Sequence, residues 1–280
     1  MNFFVLFQKI VPQRLLTEAA GWLAEVTWPP LKNVLIRVFV KAYAVDMSEA
    51  VRPEIETHPS FNAFFTRAIR SSVRPICKER RGIASPADGH ISEAGIIKQD
   101  SLLQAKGIQY SATELLAGAE LAASLRSGSF VTVYLSPKDY HRVHVPITAE
   151  LIGVRYVPGK LFSVNDTTAR SLDGLFTRNE RLIAEFRTAD FSYALVMVGA
   201  MIVGGMETVA TGRICRGKET SILPVIKRRV FQKGEEFGRF CLGSTVILVF
   251  PEHAGVDFEK SLTPRSPIRM GEKMGDMRVG

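Results

Sequence analysis

Apolar and charged positions follow a helical period along the first 45 residues. From Ile83 onward they change to short β-branched and aromatic runs separated by turn residues. After Trp28-Pro29-Pro30, the residues Leu31, Val34, Leu35, Val38, Phe39 and Ala42 fall at i, i+3, i+4, i+7, i+8 and i+11, one apolar stripe, with Lys32, Arg37 and Lys41 outside it. The proline pair divides this segment from an earlier helix, because proline removes a backbone donor and disfavours helix at the residue before it. Phe3, Phe4, Phe7, Trp22 and Trp28 crowd the earlier segment. Aromatic residues beside a basic amphipathic helix suit a membrane interface. The same pattern equally suits helices that cap a protein core. A short helix leading into a loop is expected at Pro59-Ser60-Phe61-Asn62-Ala63-Phe64-Phe65-Thr66-Arg67, and strands are expected over 130–135, 150–157, 182–186, 195–199, 208–214 and 245–250. One helical interruption, 113–125, carries Leu115, Leu116, Ala119, Ala122 and Ala123 on one side. The predicted fold class is α+β: a mainly antiparallel β core with amphipathic helices at the amino terminus, since few long helices are available as crossovers.

Composition narrows the picture. A chain of 280 residues, 46% hydrophobic and 23% charged, suffices for a sizeable core and does not read as disordered. A net charge of +8 calls for an anionic partner, whether nucleic acid, an acidic membrane surface or an anionic substrate. The basic residues are dispersed and no nucleic-acid fold signature accompanies them, which removes the first. Cys77, Cys215 and Cys241 are odd in number and far apart, as expected of a reduced compartment. The apolar start, Met1 to Val11, lacks a basic leader and a small-residue cleavage site. Lys9, Arg14, Glu18, Glu25, Lys32 and Arg37 break the early hydrophobic zone before it reaches the roughly 18 residues of a spanning helix.

Four pieces carry candidate chemistry. In Ser85-Pro86-Ala87-Asp88-Gly89-His90, Pro86 and Gly89 bracket Asp88 in a turn that fixes its carboxylate at the start of a strand, a geometry that also serves plain turn formation. In Tyr140-His141-Arg142-Val143-His144-Val145-Pro146, two histidines stand three apart without a third ligand nearby, so no metal site is expected. The pair reads either as two histidines with separate acid and base duties or as one core and one exposed histidine. Leu242-Gly243-Ser244-Thr245 opens an apolar strand. Glycine before serine lets the hydroxyl approach the preceding carbonyl, yet a tight turn before a strand has the same sequence. It lacks the second glycine of a G-x-S-x-G elbow. Gly159-Lys160-Leu161-Phe162-Ser163-Val164-Asn165, followed by Arg178-Asn179-Glu180-Arg181, reads as a binding loop with charged support or as a solvated turn with an ion pair.

In this order and spacing the pieces resemble the phosphatidylserine decarboxylase family. The resemblance also takes in the amphipathic start, Phe61-Asn62-Ala63-Phe64-Phe65, Arg74-Pro75 and Gly238-Arg239-Phe240, and it stops at Pro251. It implies a proenzyme that cuts itself between Gly243 and Ser244, giving chains 1–243 and 244–280, with residues 1–45 as membrane-associating helices and 46–280 as the catalytic domain. Asp88, His144 and Ser244 would form a self-cleavage triad, and Ser244 would become a covalent pyruvoyl group, the cofactor (pyruvate) that holds substrate as a Schiff base. His141 would be the proton donor. Phosphatidylserine would be converted to phosphatidylethanolamine at the cytoplasmic face of the cell membrane, by a peripheral enzyme whose two cleaved chains form a heterodimer or a dimer of such heterodimers. Rival readings are a Ser-His-Asp hydrolase with an intact chain, a non-catalytic membrane-binding β module, and pyruvoyl chemistry on another amino-acid head group.

Overall fold

The computed structural model describes residues 6, 8, 10–118, 120–201, 205–225, 229–241 and 244–278. A nine-stranded antiparallel sheet forms its body. The strand order is Ser221–Leu223, Ala149–Val157, Arg181–Arg187, Ser192–Val198, Ser244–Phe250, Ser129–Leu135, Gly89–Ile96 and Pro267–Ile268, with Val230–Phe231 added alongside Ala149–Val157. Ser244–Phe250 is central and paired on both sides, and every residue in it is buried. Val246, Leu248 and Phe250 enter one core, whereas Ile247 and Val249 enter a second core on the opposite face. Burial on both faces is why this strand reads as a continuous apolar run rather than an alternating one.

The second core is roofed by short helices that contribute Leu115, Leu121, Leu125, Leu175 and Phe176. The first is covered by smaller sheets. One orders Gly212–Arg213, Met206–Thr208, Glu236–Phe240 and Arg142–His144, and another orders Gly82–Ala84, Lys273–Asp276 and Asp257–Phe258.

Three expectations are corrected. The apolar stripe of the Pro29–Tyr43 helix does not all face one way. Ile36 is fully buried and, with Leu35, Phe39 and Val40, packs on Phe61, Phe64 and Phe65, while Val34 and Val38 are 54% and 62% exposed. Helix 113–125 is two helices, Ala112–Leu115 and Glu120–Leu125, because Ala117 and Gly118 take left-handed φ values of 58° and 64°. Strand 208–214 is a hairpin, Met206–Thr208 with Gly212–Arg213, turned at Gly212 with φ 72°.

Candidate active site

Asp88 ends a turn held by Ser85, whose hydroxyl donates to the Ala87 carbonyl at 2.8 Å. The next residue must be glycine, since a Cβ on Gly89 would lie 2.2 Å from the Tyr134 carbonyl oxygen. The carboxylate of Asp88 accepts from Arg74 Nε at 2.9 Å, from Arg74 Nη2 at 2.6 Å and from the Met270 backbone N–H at 2.8 Å. Glu49 takes the other edge of the same guanidinium, at 2.6 and 3.0 Å. Burial opposes the charge on Arg74, but its hydrogen bonds to Asp88 and Glu49 outweigh this and hold its pKa above the ordinary value.

His144 is tied to the same turn, since its backbone N–H donates to the Pro86 carbonyl at 2.7 Å. Its side chain points elsewhere. Nδ1 lies 2.8 Å from the Gly234 carbonyl oxygen, and Nε2 lies 3.0 Å from the Tyr140 hydroxyl. A carbonyl only accepts, so Nδ1 carries the hydrogen and Nε2 receives the Tyr140 hydroxyl. Burial lowers the His144 pKa, partly offset by the Gly234 hydrogen bond and by nearby negative charge that includes Asp88.

His141 is wholly buried. Its Nδ1 donates to the Asp139 carbonyl at 2.8 Å, which leaves Nε2 a bare lone pair without a hydrogen-bond partner, and the ring packs 4.1 Å from the Phe65 ring. Burial pushes its pKa down to about 3, so the ring is neutral near pH 7. In this form Nε2 is a base and must gain a proton before it can act as a donor.

Ser244 opens the central strand opposite Leu135, and its buried Oγ has no hydrogen-bond partner. Tyr134, beside Leu135, pairs on its far side with His90, so the head of the Ser244 strand is two strand spacings, about 10 Å, from the Asp88–Gly89 turn. His144 and Asp88 thus share one turn, with Ser244 at the head of a strand two spacings away. No hydrogen bond joins them in this arrangement: Asp88 is held by Arg74 and Met270, and His144 by Tyr140 and Gly234. Gly243, the other half of the expected cleavage site, lies outside the described residues. A recess of about 300 Å³ beside the Asp88 turn is lined by Arg67, Arg74, Asp88, His90, Lys138 and Tyr140, among others.

The 159–165 loop is pinned rather than solvated. Asn179 accepts from the Phe162 N–H at 3.1 Å and donates to the Phe162 and Gly199 carbonyls. Gln8 and Gln13 accept from the Ser163 and Leu161 N–H groups at 2.7 and 2.9 Å, docking the amino-terminal segment onto the loop. Glu180 pairs with Arg216 rather than with its sequence neighbours.

A family model described as phosphatidylserine decarboxylase matches residues 61–276, and a second, described as PSD, matches residues 3–44. The chain belongs to the phosphatidylserine decarboxylase family. A relative from Psychrobacter arcticus is 46% identical over 279 residues, covering 100% of both chains. One from Alcanivorax borkumensis is 45% identical, covering 98% of this chain and 96% of its own, and one from Glaesserella parasuis is 45% identical, covering 98% and 95%. All three are called phosphatidylserine decarboxylase proenzyme. The phosphatidylserine decarboxylase match of 61–276 takes in Arg74, Asp88, Tyr140, His141, His144, Ser244 and Met270, leaving Glu49 outside it. Three partners in this site were not singled out by sequence reasoning. Glu49 and Met270 stand 25 and 182 residues from the groups they hold, and the Gly234 carbonyl is a backbone group 90 residues from His144. Tyr140, adjacent to His141 within an already suspect motif, was the one with a local signal.

Proposed function

We propose that this chain decarboxylates phosphatidylserine to phosphatidylethanolamine, using a pyruvoyl group that it makes from Ser244 by cutting itself after Gly243. The observation that carries this reading is the Ser244 hydroxyl, wholly buried at the head of the central strand and without a hydrogen-bond partner among the described residues. The Thr132 and Thr245 hydroxyls are unpartnered as well, and Ser244 differs from them in following Gly243 at the expected cleavage site.

In the cut, His144 Nε2 releases the Tyr140 hydroxyl and takes the Ser244 proton, while Asp88 and the Gly234 carbonyl stabilise the imidazolium. Ser244 Oγ bonds to the Gly243 carbonyl carbon, the 243–244 C–N bond breaks and its nitrogen takes the proton back from His144, giving an ester and a free amine. Loss of the Ser244 Cα proton and cleavage of its Cβ–O bond then free the Gly243 carboxylate. The dehydroalanine left behind tautomerises and is hydrolysed, releasing ammonia. The small chain stays attached, because 244–250 is hydrogen-bonded to strands of the large chain on both sides. The product is therefore a heterodimer of the two chains, which further pairing would make a dimer of heterodimers.

The pyruvoyl ketone supplies a carbonyl that condenses with the substrate amine and takes up the electron pair released with carbon dioxide. His141 is the proton donor: a proton taken up at its free Nε2 passes to the α-carbon after carbon dioxide has left.

The outward faces of the two amino-terminal helices support a peripheral position on a membrane surface, which this reading places at the cytoplasmic face. Trp22 is 74% exposed, and Leu15, Trp28, Val34 and Val38 are exposed with it. No helix among the described residues is long and apolar enough to cross a membrane. Intact-mass measurement of active protein tests the central claim: it should show chains of 243 and 37 residues (280 − 243 = 37), the smaller beginning with a ketone instead of an amine. Active protein consisting of one full-length species with an unmodified Ser244 would overturn it.

A further inference from the structure

Arg67 is the buried arginine whose charge the protein leaves uncompensated. It is 6% exposed, and among the described residues its Nε has no hydrogen-bond partner and its one hydrogen bond is a long 3.4 Å contact from Nη2 to the Lys138 carbonyl. Among the described residues no carboxylate lies within ion-pair distance of it. The guanidinium stands 5.4 Å from the centre of the Phe64 ring. The other two deeply buried arginines differ: Arg74 is shared by two carboxylates, and Arg181 donates to the carbonyls of Glu114, Leu115, Thr177 and Asn179. Burying a cation without a partner is costly, and the cost draws the Arg67 pKa down despite the more distant Asp88, Glu49 and Asp139.

Arg67 opens onto a recess of about 390 Å³ whose wall also carries Arg52, His58, Arg142 and Arg239 and no carboxylate residue. Arg142 and Arg239 are paired with Glu236 and Glu207, which do not line it. On its other side Arg67 lines the recess that contains Asp88 and Tyr140. Phe65, two residues earlier, packs on His141, and the Arg67 charge is close enough to help depress the His141 pKa. An anion held by Arg67 therefore sits next to the proposed proton donor.

We propose that Arg67 is a binding residue for a phosphate oxyanion, and that the oxyanion is the phosphodiester of the lipid head group. This rests on the function proposed above. The substrate carries a second anion, its carboxylate, but that charge departs with carbon dioxide. A cation fixed on it would stabilise the ground state and oppose reaction. The phosphodiester keeps its charge from substrate to product, and the planar guanidinium fork fits phosphate oxygens.

The test is calorimetric binding to the uncut, full-length Ser244→Ala chain, which needs neither self-cleavage nor a pyruvoyl group, so its outcome is independent of the mass measurement. The probes are short-chain phosphatidylserine, short-chain phosphatidylethanolamine and inorganic phosphate. Arg67→Met should weaken both lipids by about ten- to a hundredfold, the range for losing a hydrogen bond to a charged group. Arg67→Lys should weaken them less. Because Arg67→Met gives up only the long contact to the Lys138 carbonyl and the Phe64 ring contact, its thermal midpoint should fall little, and Arg67→Lys serves if it falls further. Loss confined to phosphatidylserine would mean that Arg67 holds the carboxylate, and would overturn the proposal. So would Arg67-dependent binding of inorganic phosphate tighter than that of the lipids, or unchanged lipid affinity in both variants.

Discussion

Arg74 and Asp88 form a two-point ion pair closed to solvent, with Nε 2.9 Å from Oδ1 and Nη2 2.6 Å from Oδ2, and the same guanidinium reaches Glu49. The carboxylate expected to orient His144 is thereby anchored to the Arg74–Pro75 segment and, through the Met270 N–H, to the carboxy-terminal tail. Its position is set by three parts of the chain that are distant in sequence.

Removing the guanidinium leaves two carboxylates facing each other with nothing between them. Arg74→Met should therefore lose about 3–5 kcal/mol of stability in urea titrations at neutral pH. The hydrogen bond from Arg74 holds the Glu49 pKa below its ordinary 4.5. Its share of the stability is therefore complete above that value and fades as pH falls through the lower folded value. Urea midpoints measured from pH 6 to pH 3 should show this acid-side decline in the parent protein, and Arg74→Met should lack Glu49's part of it. An equally steep decline in the variant would show that Arg74 does not set the Glu49 pKa.

The Pro29–Tyr43 helix gives a second contrast, because its apolar residues divide between two surroundings. Ile36→Ala should cost about 2–5 kcal/mol, since a fully buried side chain is lost from the Phe61–Phe64–Phe65 cluster. Val38→Ser and Trp22→Ser should change stability by less than about 0.5 kcal/mol yet weaken binding to anionic vesicles in co-sedimentation. Added salt should weaken binding of the parent protein as well, because charge attraction is screened within about 10 Å at 0.1 M. Vesicle binding unaffected by either outward substitution would leave the helices as a cap on the protein core alone.

How far the sequence disclosed these features depends on the range of the interactions. Ser244–Phe250 was legible because a β-branched run buried on both faces has a local signature. The Asp88 turn was legible because proline and glycine mark it. The amino-terminal helices were legible in period but not in orientation. With Ile36 and Val40 inward and Val34 and Val38 outward, apolar residues circle the axis, and hydrophobicity does not say which side meets Phe64. Lys32, placed with the exposed charges, is buried with its ammonium on the Asn33 side chain and the Glu56 carbonyl. Glu49 and Met270 were illegible for the opposite reason: nothing in their own surroundings announces a partner that only the folded sheet brings near.

The two histidines, three residues apart, are separated by what each ring nitrogen meets, and this fixes when each is needed. His144 presents an Nε2 lone pair that is already hydrogen-bonded to the Tyr140 hydroxyl and within the field of Asp88, the arrangement of a base awaiting a hydroxyl. His141 presents a bare, buried Nε2 with no carboxylate among the influences on its pKa, suited to a proton that is borrowed and returned. On the proposed route self-cleavage precedes substrate chemistry, so the step assigned to His141 arises only after the cut. His141→Ala should therefore still yield the two chains, at least slowly, but turn over little or no phosphatidylserine. His144→Ala and Asp88→Asn should accumulate as uncut precursor, since the first removes the base and the second removes a carboxylate charge that favours its imidazolium. Quantitative gels for the three variants, run beside a decarboxylation assay and thermal melts that confirm folding, decide the matter. Complete block of cutting in His141→Ala with normal maturation of His144→Ala would exchange the two roles. A cut and fully active His141→Ala would hand proton delivery to another group.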